Sequence, residues 1–243
     1  IQQPDDNRKP GMNAWFGTEF NRHNTWFSQA DSYFDYLRRC QHLLQQGKYV
    51  ADVCYFIGED APIMTGGRIP EIPKGYSYDY INAEVIIDRL SVKDGRFVLP
   101  DGMSYKVMVL PPFKTMRPEL LTKLEQLIAQ GGTILGPKPE KSPSLENYPT
   151  SDNIVKDLAN KMWNANYVDG KMKAIYGKGK IWDGYELSEV FGEINQAKDV
   201  DVPEDTPILW THRKSPEMDI YFMSNQSDEQ LQIAPIFRAD KDL

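Results

Sequence analysis

Residues 106–135 read KVMVLPPFKTMRPELLTKLEQLIAQGGTIL, and this stretch decides the fold class. The run 106–110 is short, apolar and stopped by Pro111-Pro112, the pattern of a buried strand. Pro118 suits the first turn of a helix, where its missing N–H leaves no bond unmade. Leu120, Leu121, Leu124, Leu127 and Ile128 then share one side as far as Gln130, and Gly131-Gly132 end the helix. Thr133-Ile134-Leu135 follows as another buried strand, closed by Gly136-Pro137. A strand, a helix and a strand in this order predict a parallel pair joined by a helical crossover.

The same alternation extends in both directions. Upstream, residues 29–46 predict a helix with Ala30, Tyr33, Phe34, Leu37, Cys40 and Leu44 on one stripe and Gly47 as its C-cap. Residues 49–57 (YVADVCYFI) read as one buried strand. A Pro- and Gly-rich loop runs to about Ser77, and Asp79 is expected to cap a helix reaching Leu90. Residues 96–99 form a short strand or hairpin arm after Asp94-Gly95. Downstream, Asp152 is expected to cap a helix carrying Ile154, Val155, Leu158, Ala159 and Met162. A weak strand pair, 174–176 and 180–182, brackets Gly177-Lys178-Gly179, and a last helix holds Leu187, Val190, Phe191 and Ile194. The expectation is an α/β fold: a flavodoxin-like or Rossmann-like parallel sheet with helices on both faces. From about Val200 the character changes, and 208–211 and 220–224 read as strands of a separate all-β region.

Composition narrows the function. Of 243 residues, 40% are hydrophobic and 26% charged, which allows a core of useful size. The net charge of −7 and the scattering of Lys and Arg argue against nucleic acid as a partner. No apolar stretch approaches a membrane span. Cys40 and Cys54 make no metal spacing and no CxxC pair, and both read as buried thiols. No signal peptide is visible and Ile1 is not an initiator Met, so the start is expected to be a cut inside a longer chain.

Catalytic motifs are sparse. There is no GxGxxG after a strand, no Walker sequence and no His-Glu-x-x-His. A hydrolase triad on this sheet would need Cys or Ser at a strand-to-helix elbow, and the strand ends offer Ile57-Gly58-Glu59, Leu110-Pro111-Pro112 and Leu135-Gly136-Pro137 instead. Glu59 and Asp60 lie just past a strand end, where open α/β sheets bind ligands, and could hold a sugar hydroxyl or a cation; a solvated loop is the competing reading. The segment 17–27 (GTEFNRHNTWF) mixes aromatic faces with amides and charges. Glu19, Arg22, His23, Asn24 and Trp26 are therefore candidate sugar-binding residues, or else a hydrogen-bonded structural hub, since such polar groups are costly to bury unpaired.

The runs GTEFNRHNTWF (17–27), FDYLRRCQHLLQQG (34–47), YVADVCYFIGEDAP (49–62), PKGYSYDYINAEVI (73–86) and LPDGMSYKVMVLPP (99–112) resemble glycoside hydrolase family 106. GPKPEKSPSLENYP (136–149) and THRKSPEMDIYFMSNQ (211–226) continue the likeness over nearly the whole chain. The resemblance implies an α-L-rhamnosidase, many of which come from gut Bacteroidetes, with an (α/β)₈ catalytic barrel, an α/β domain similar to a class I glutamine amidotransferase, and β-sandwiches. On that map residues 1–47 are the end of the barrel, its last loop and helix. Residues 48–198 are the amidotransferase-like three-layer domain, and 199–243 lead into a sandwich. It implies inverting hydrolysis of rhamnose-containing plant or complex polysaccharides, with calcium at the sugar of the full-length enzyme. No cofactor or metal ligand is assigned to this segment, and the general acid and base are expected outside it. Glu19, Arg22, His23, Asn24 and Trp26 would then assist on the substrate side. The resemblance further implies export, to the periplasm or beyond, and a segment that supports the barrel or mediates assembly, a homo-oligomer being compatible with it. The rival readings are a sugar- or small-molecule-binding α/β module without hydrolase activity, and a standalone enzyme, which the missing nucleophile argues against.

Overall fold

The structure is a computed structural model that describes residues 25–59 and 67–239. The chain divides into two compact units, Ile1–Lys48 with Arg213–Ile220, and Tyr49–His212 with Tyr221–Leu243.

The smaller unit contains a 3-10 turn, Phe27–Gln29, and α1, Asp31–Leu44. Asp31 in the first turn and His42 in the last complement the helix dipole. The predicted stripe is present, but none of the helix residues is buried; Tyr33, Tyr36 and Leu43 are exposed and Cys40 is half-buried. Burial of both thiols therefore holds for Cys54 alone. Beyond the helix Gly47 has φ +57°, and Arg213 donates from Nε to the Gln46 carbonyl and from Nη2 to that of Gly47. A Cβ at Gly47 would overlap the Lys214 carbonyl, so glycine is required there.

Next along the chain come β1 (Lys48–Tyr49), β2 (Val53–Phe56), β3 (Tyr78–Ile81) and α2 (Ala83–Arg89). Then follow β4 (Ser91–Lys93), β5 (Arg96–Val98), β6 (Ser104–Tyr105), β7 (Val107–Val109) and α3 (Pro118–Ala129). The larger unit continues with β8 (Thr133–Leu135), α4 (Thr150–Met162), β9 (Met172–Tyr176), β10 (Gly179–Asp183), α5 (Leu187–Glu193) and β11 (Val200–Asp201). The hairpin arms β12 (Ile208–Lys214) and β13 (Asp219–Asn225), and β14 (Ile236–Phe237), complete the order.

The main sheet runs β3-β2-β7-β8-β10-β9. Neighbours from β3 to β10 are parallel, with Val53 opposite Val107, Met108 opposite Ile134 and Ile181 opposite Ile134. Alternation along the strands sends side chains to two faces. Cys54, Phe56, Met108, Ile134 and Ile181 pack with Ile86 of α2, with Leu120, Leu121, Leu124 and Ile128 of α3, and with Val155 and Ala159 of α4. Val53, Tyr55, Val107, Val109, Leu135 and Trp182 pack with Leu187, Val190 and Phe191 of α5.

Four expectations are corrected. The flavodoxin-like, amidotransferase-like three-layer parallel sheet is not what forms. The six-stranded sheet is mixed, because β9 and β10 are a hairpin in which Met172 faces Asp183, and consecutive arms of a tight hairpin can pair only antiparallel. Small antiparallel sheets, β4-β5-β6 and β11-β14, accompany it. Second, Asp79 does not cap a helix. Tyr78–Ile81 is strand β3, paired along β2, since Tyr-Asp-Tyr-Ile favours a pleated surface; Asn82 caps α2 instead, its side chain accepting from Val85 N at 3.0 Å. Third, the strand expected over 49–57 is broken, with β1 and β2 separated by Val50, Ala51 and Asp52. Asp152 likewise does not begin α4; its carboxylate accepts from Ser142 N at 3.0 Å.

Candidate functional site

Of the candidate sugar-binding residues, Glu19, Arg22, His23 and Asn24 lie outside the described residues, as does Asp60. Trp26 precedes the 3-10 turn and is 38% exposed; its carbonyl accepts from Gln29 N at 2.9 Å. Phe27 meets Phe34 edge-on at 6.3 Å, which ties this turn to α1.

Glu59 sits past the end of β2, beside β7, where the chain progresses one way to β3 and the other way to β7. It is not a solvated loop residue: its side chain is 8% exposed. One carboxylate oxygen accepts from Arg117 N at 2.8 Å and the other from Arg117 Nε. Arg117 is the N-cap position of α3 and has no cap from its own side chain, so Glu59 supplies from across the sheet the anion that this helix end favours. Asp79 accepts from the Tyr105 hydroxyl at 2.9 Å, and burial together with this carboxylate pushes the Tyr105 phenol well up. Asp183, at the end of β10, accepts from the Tyr167 hydroxyl. These three acids, Glu59 and Asp183 at strand ends and Asp79 within β3, are thus held by structural partners.

The strongest charged constellation lies elsewhere, and sequence reasoning missed it. Asp52 and Asp199 are fully buried, and His212 is 2% exposed. His212 Nδ1 lies 2.9 Å from Asp199 Oδ2, and its ring stacks on Tyr221 at 4.0 Å. The Tyr221 hydroxyl reaches Asp199 Oδ1 at 3.2 Å. Arg238 Nη2 lies 2.8 Å from Asp52 Oδ1 and 3.6 Å from Asp199 Oδ1, while Nη1 donates to the Ala197 carbonyl at 2.6 Å. Gln196 Nε2 donates to Asp52 Oδ1 at 2.9 Å. Burial pushes the Asp52 carboxyl up, and the Arg238 guanidinium pulls it back down. The one available signal was an Asp inside the apolar run 49–57, since a buried carboxylate demands a cation or several donors.

An Asp–His pair invites a catalytic reading, but a general base must reach a proton on the substrate. Here both partners are sealed from solvent, beside the N-terminal end of β2. The cluster instead joins Asp52, just before β2, to the segment 196–238. Backbone bonds reinforce it: Asp199 N donates to the Gly75 carbonyl at 2.7 Å, and Arg238 N to that of Asp199 at 3.0 Å. Among the described residues no three or more His, Cys, Asp or Glu side chains are grouped so that they could hold a metal ion. No helix among the described residues is long and apolar enough to cross a membrane.

The profile of glycoside hydrolase family 106, described as alpha-L-rhamnosidase, matches residues 1–242. A protein of Formosa agariphila, named provisionally as a beta-glucuronidase, is 39% identical over 242 residues, 98% of this chain and 19% of its own. The solved rhamnosidase from Novosphingobium sp. PP1Y superposes with a TM-score of 0.78 at 31% identity, over 92% of this chain and 22% of its own. The chain therefore spans about a fifth of the length of these relatives. A match over almost every residue, together with a shared structure, establishes that the chain belongs to glycoside hydrolase family 106, the α-L-rhamnosidase family.

Proposed function

We propose that this chain is the non-catalytic, structural part of an α-L-rhamnosidase-like hydrolase acting on rhamnose-containing glycans of plant or other complex polysaccharides. The observation that carries this reading is Glu59. At the sheet position where an α/β fold offers a group to a ligand, both carboxylate oxygens are engaged by Arg117 in closing the start of α3. Inverting hydrolysis needs two carboxyl groups roughly 6.5–9.5 Å apart with room for water between them. Carboxylates held by Arg117, Tyr105 and Tyr167 are poorly placed for that task. The acid and base then belong to other parts of the enzyme, and Glu19, Arg22, His23, Asn24 and Trp26 assist on the substrate side.

The same reading assigns 1–47 to the end of a catalytic barrel, 48–198 to an α/β domain and 199–243 to the approach to a β-sandwich. The separation of Ile1–Lys48 as part of a compact unit of its own supports the first boundary. Export of the enzyme, to the periplasm or outside the cell, belongs to this proposal, as does any calcium site in the longer protein.

The test is to neutralise these three acids in the complete enzyme. Glu59→Gln, Asp79→Asn and Asp183→Asn are expected to leave kcat on an aryl α-L-rhamnoside within a small factor, while Glu59→Gln lowers thermal stability. A loss of about a hundredfold or more in kcat with the fold intact, the size expected of a removed general acid or base, would place that acid in the mechanism and overturn the reading.

A further inference from the structure

A cavity of about 410 Å³ opens in the larger unit between the first turns of α3 and α4. Arg117, Ser142, Ser144, Glu146, Asn147 and Thr150 line it, and Pro118 and Ile154 add apolar surface. Its volume lies in the range of small-ligand sites, roughly 300–1,000 Å³, and suits one or two sugar rings. None of its lining residues takes part in the buried cluster around Asp52.

The lining groups fall into two sets. Ser142 and Ser151 are nearly buried and work for the backbone: the Ser142 hydroxyl accepts from Ser144 N at 3.4 Å, and the Ser151 hydroxyl donates to the Glu146 carbonyl at 2.8 Å. With Asp152 accepting from Ser142 N, these bonds fix the loop 142–149 over the start of α4. The Glu146 carboxylate, the Asn147 amide and the Thr150 hydroxyl form no side-chain hydrogen bond within the described residues, and they border the same cavity as Arg117. A carboxylate, an amide, a hydroxyl and a guanidinium around one opening match the alternating donors and acceptors of a vicinal diol. Next to Asn147 in the chain, Tyr148 leaves 65% of its surface to solvent, and Leu145 leaves 83%. An exposed phenol ring beside such a set can stack on the C–H face of a sugar.

Charge narrows the ligand further. Two helix starts and Arg117 would favour an anion on their own. Arg117 is already paired with Glu59 and lies 3.7 Å from Glu119, and Glu119 and Glu146 both line the cavity. Carboxylates outnumber the cation, so uronates, sulfate and phosphate are repelled, while the guanidinium disfavours a metal ion.

We infer that this cavity is an accessory binding site for a neutral saccharide. The inference rests on the chemistry of the cavity and not on the segment's being non-catalytic. Either could fail without the other, because this test reads binding and the test of function reads turnover.

The experiment is an amide NMR titration of the 243-residue chain with L-rhamnose, methyl β-D-galactoside, D-galacturonate and sulfate. Neutral sugars are expected to move the amides of residues 117–120 and 142–153, with Kd of about 1–10 mM. Galacturonate and sulfate are expected to bind more weakly. Glu146→Ala and Asn147→Gly, the latter keeping the positive φ of 53° accessible, should each weaken binding about tenfold and leave distant amides unmoved. Thr150→Ala gives a further variant at the exposed first residue of α4 should the loop tolerate neither change. No shift with any neutral sugar, shifts elsewhere in the chain, tighter binding of galacturonate or sulfate, or variants that bind as the parent does would each overturn the inference.

Discussion

Replacing Arg238 by Met should destabilise the chain, and the structure sets the scale. Arg238 is 25% exposed by side chain, whereas its partners Asp52 and Asp199 are fully buried. Removing one partner of a buried ion pair costs about 3–5 kcal/mol, because the remaining charge stays desolvated. The partial exposure of Arg238 argues for the lower end, about 3 kcal/mol, which for a chain of this size is a fall in Tm of roughly 6–12 °C. The pH dependence gives the sign. Burial holds the Asp52 carboxyl above its ordinary value and Arg238 opposes this, so the variant's Asp52 rises further. A carboxyl raised on folding contributes stability below its unfolded value, about pH 4, and that contribution is lost as pH rises through the folded value. The gap between parent and variant is therefore expected to shrink as pH falls from about 7.5 to about 5.5. Urea denaturation at both pH values reads this directly, and Asp52→Asn in the Arg238→Met background should recover most of the loss. A gap below about 1 kcal/mol, as for an exposed pair, or one that widens in acid, would refute the reasoning.

The remaining predictions address the scaffold. Leu124→Ala opens a hole in the face shared by α3 and the sheet, where Leu124 is fully buried, and should cost about 2–5 kcal/mol by chemical denaturation. Asn82→Ala removes the cap of α2 and should cost about 1 kcal/mol, whereas Asp79→Ala should leave the start of that helix intact by amide exchange. Gly179→Ala should cost at least about 1–3 kcal/mol, read as a loss of Tm, because an added Cβ would overlap the carbonyls of Ile128 and Gly132.

Much of the element order was legible because its signals are local. The stripe on α3 is fully buried at Leu120, Leu121, Leu124, Leu127 and Ile128. The apolar runs around Val53, Val107 and Ile134 are strands, and the Asp94-Gly95 turn, with φ of 52° and 70°, joins β4 to β5. What failed depended on partners distant in sequence. Strand β3 forms because β2 offers its edge to Tyr78–Ile81, which moves the helix start from the expected Asp79 cap to Asn82. Sheet direction at β9 followed from a hairpin that alternation of strands and helices does not reveal. Asp52, Asp199, His212 and Arg238 lie up to 186 residues apart (52 to 238) and carry no shared motif, so only the fold brings them together. Glu59 was singled out for its place at a strand end, but its role was set by Arg117, 58 residues on, which no local pattern announces.

The central claim, that this chain supports a hydrolase without performing the hydrolysis, is tested most directly by offering the chain itself an aryl α-L-rhamnoside, with and without calcium, beside the Novosphingobium rhamnosidase as a positive control. The account predicts release of the aryl group by the control and none above buffer by the chain. Steady turnover by the chain, abolished by changing one of its own acids, would contradict it.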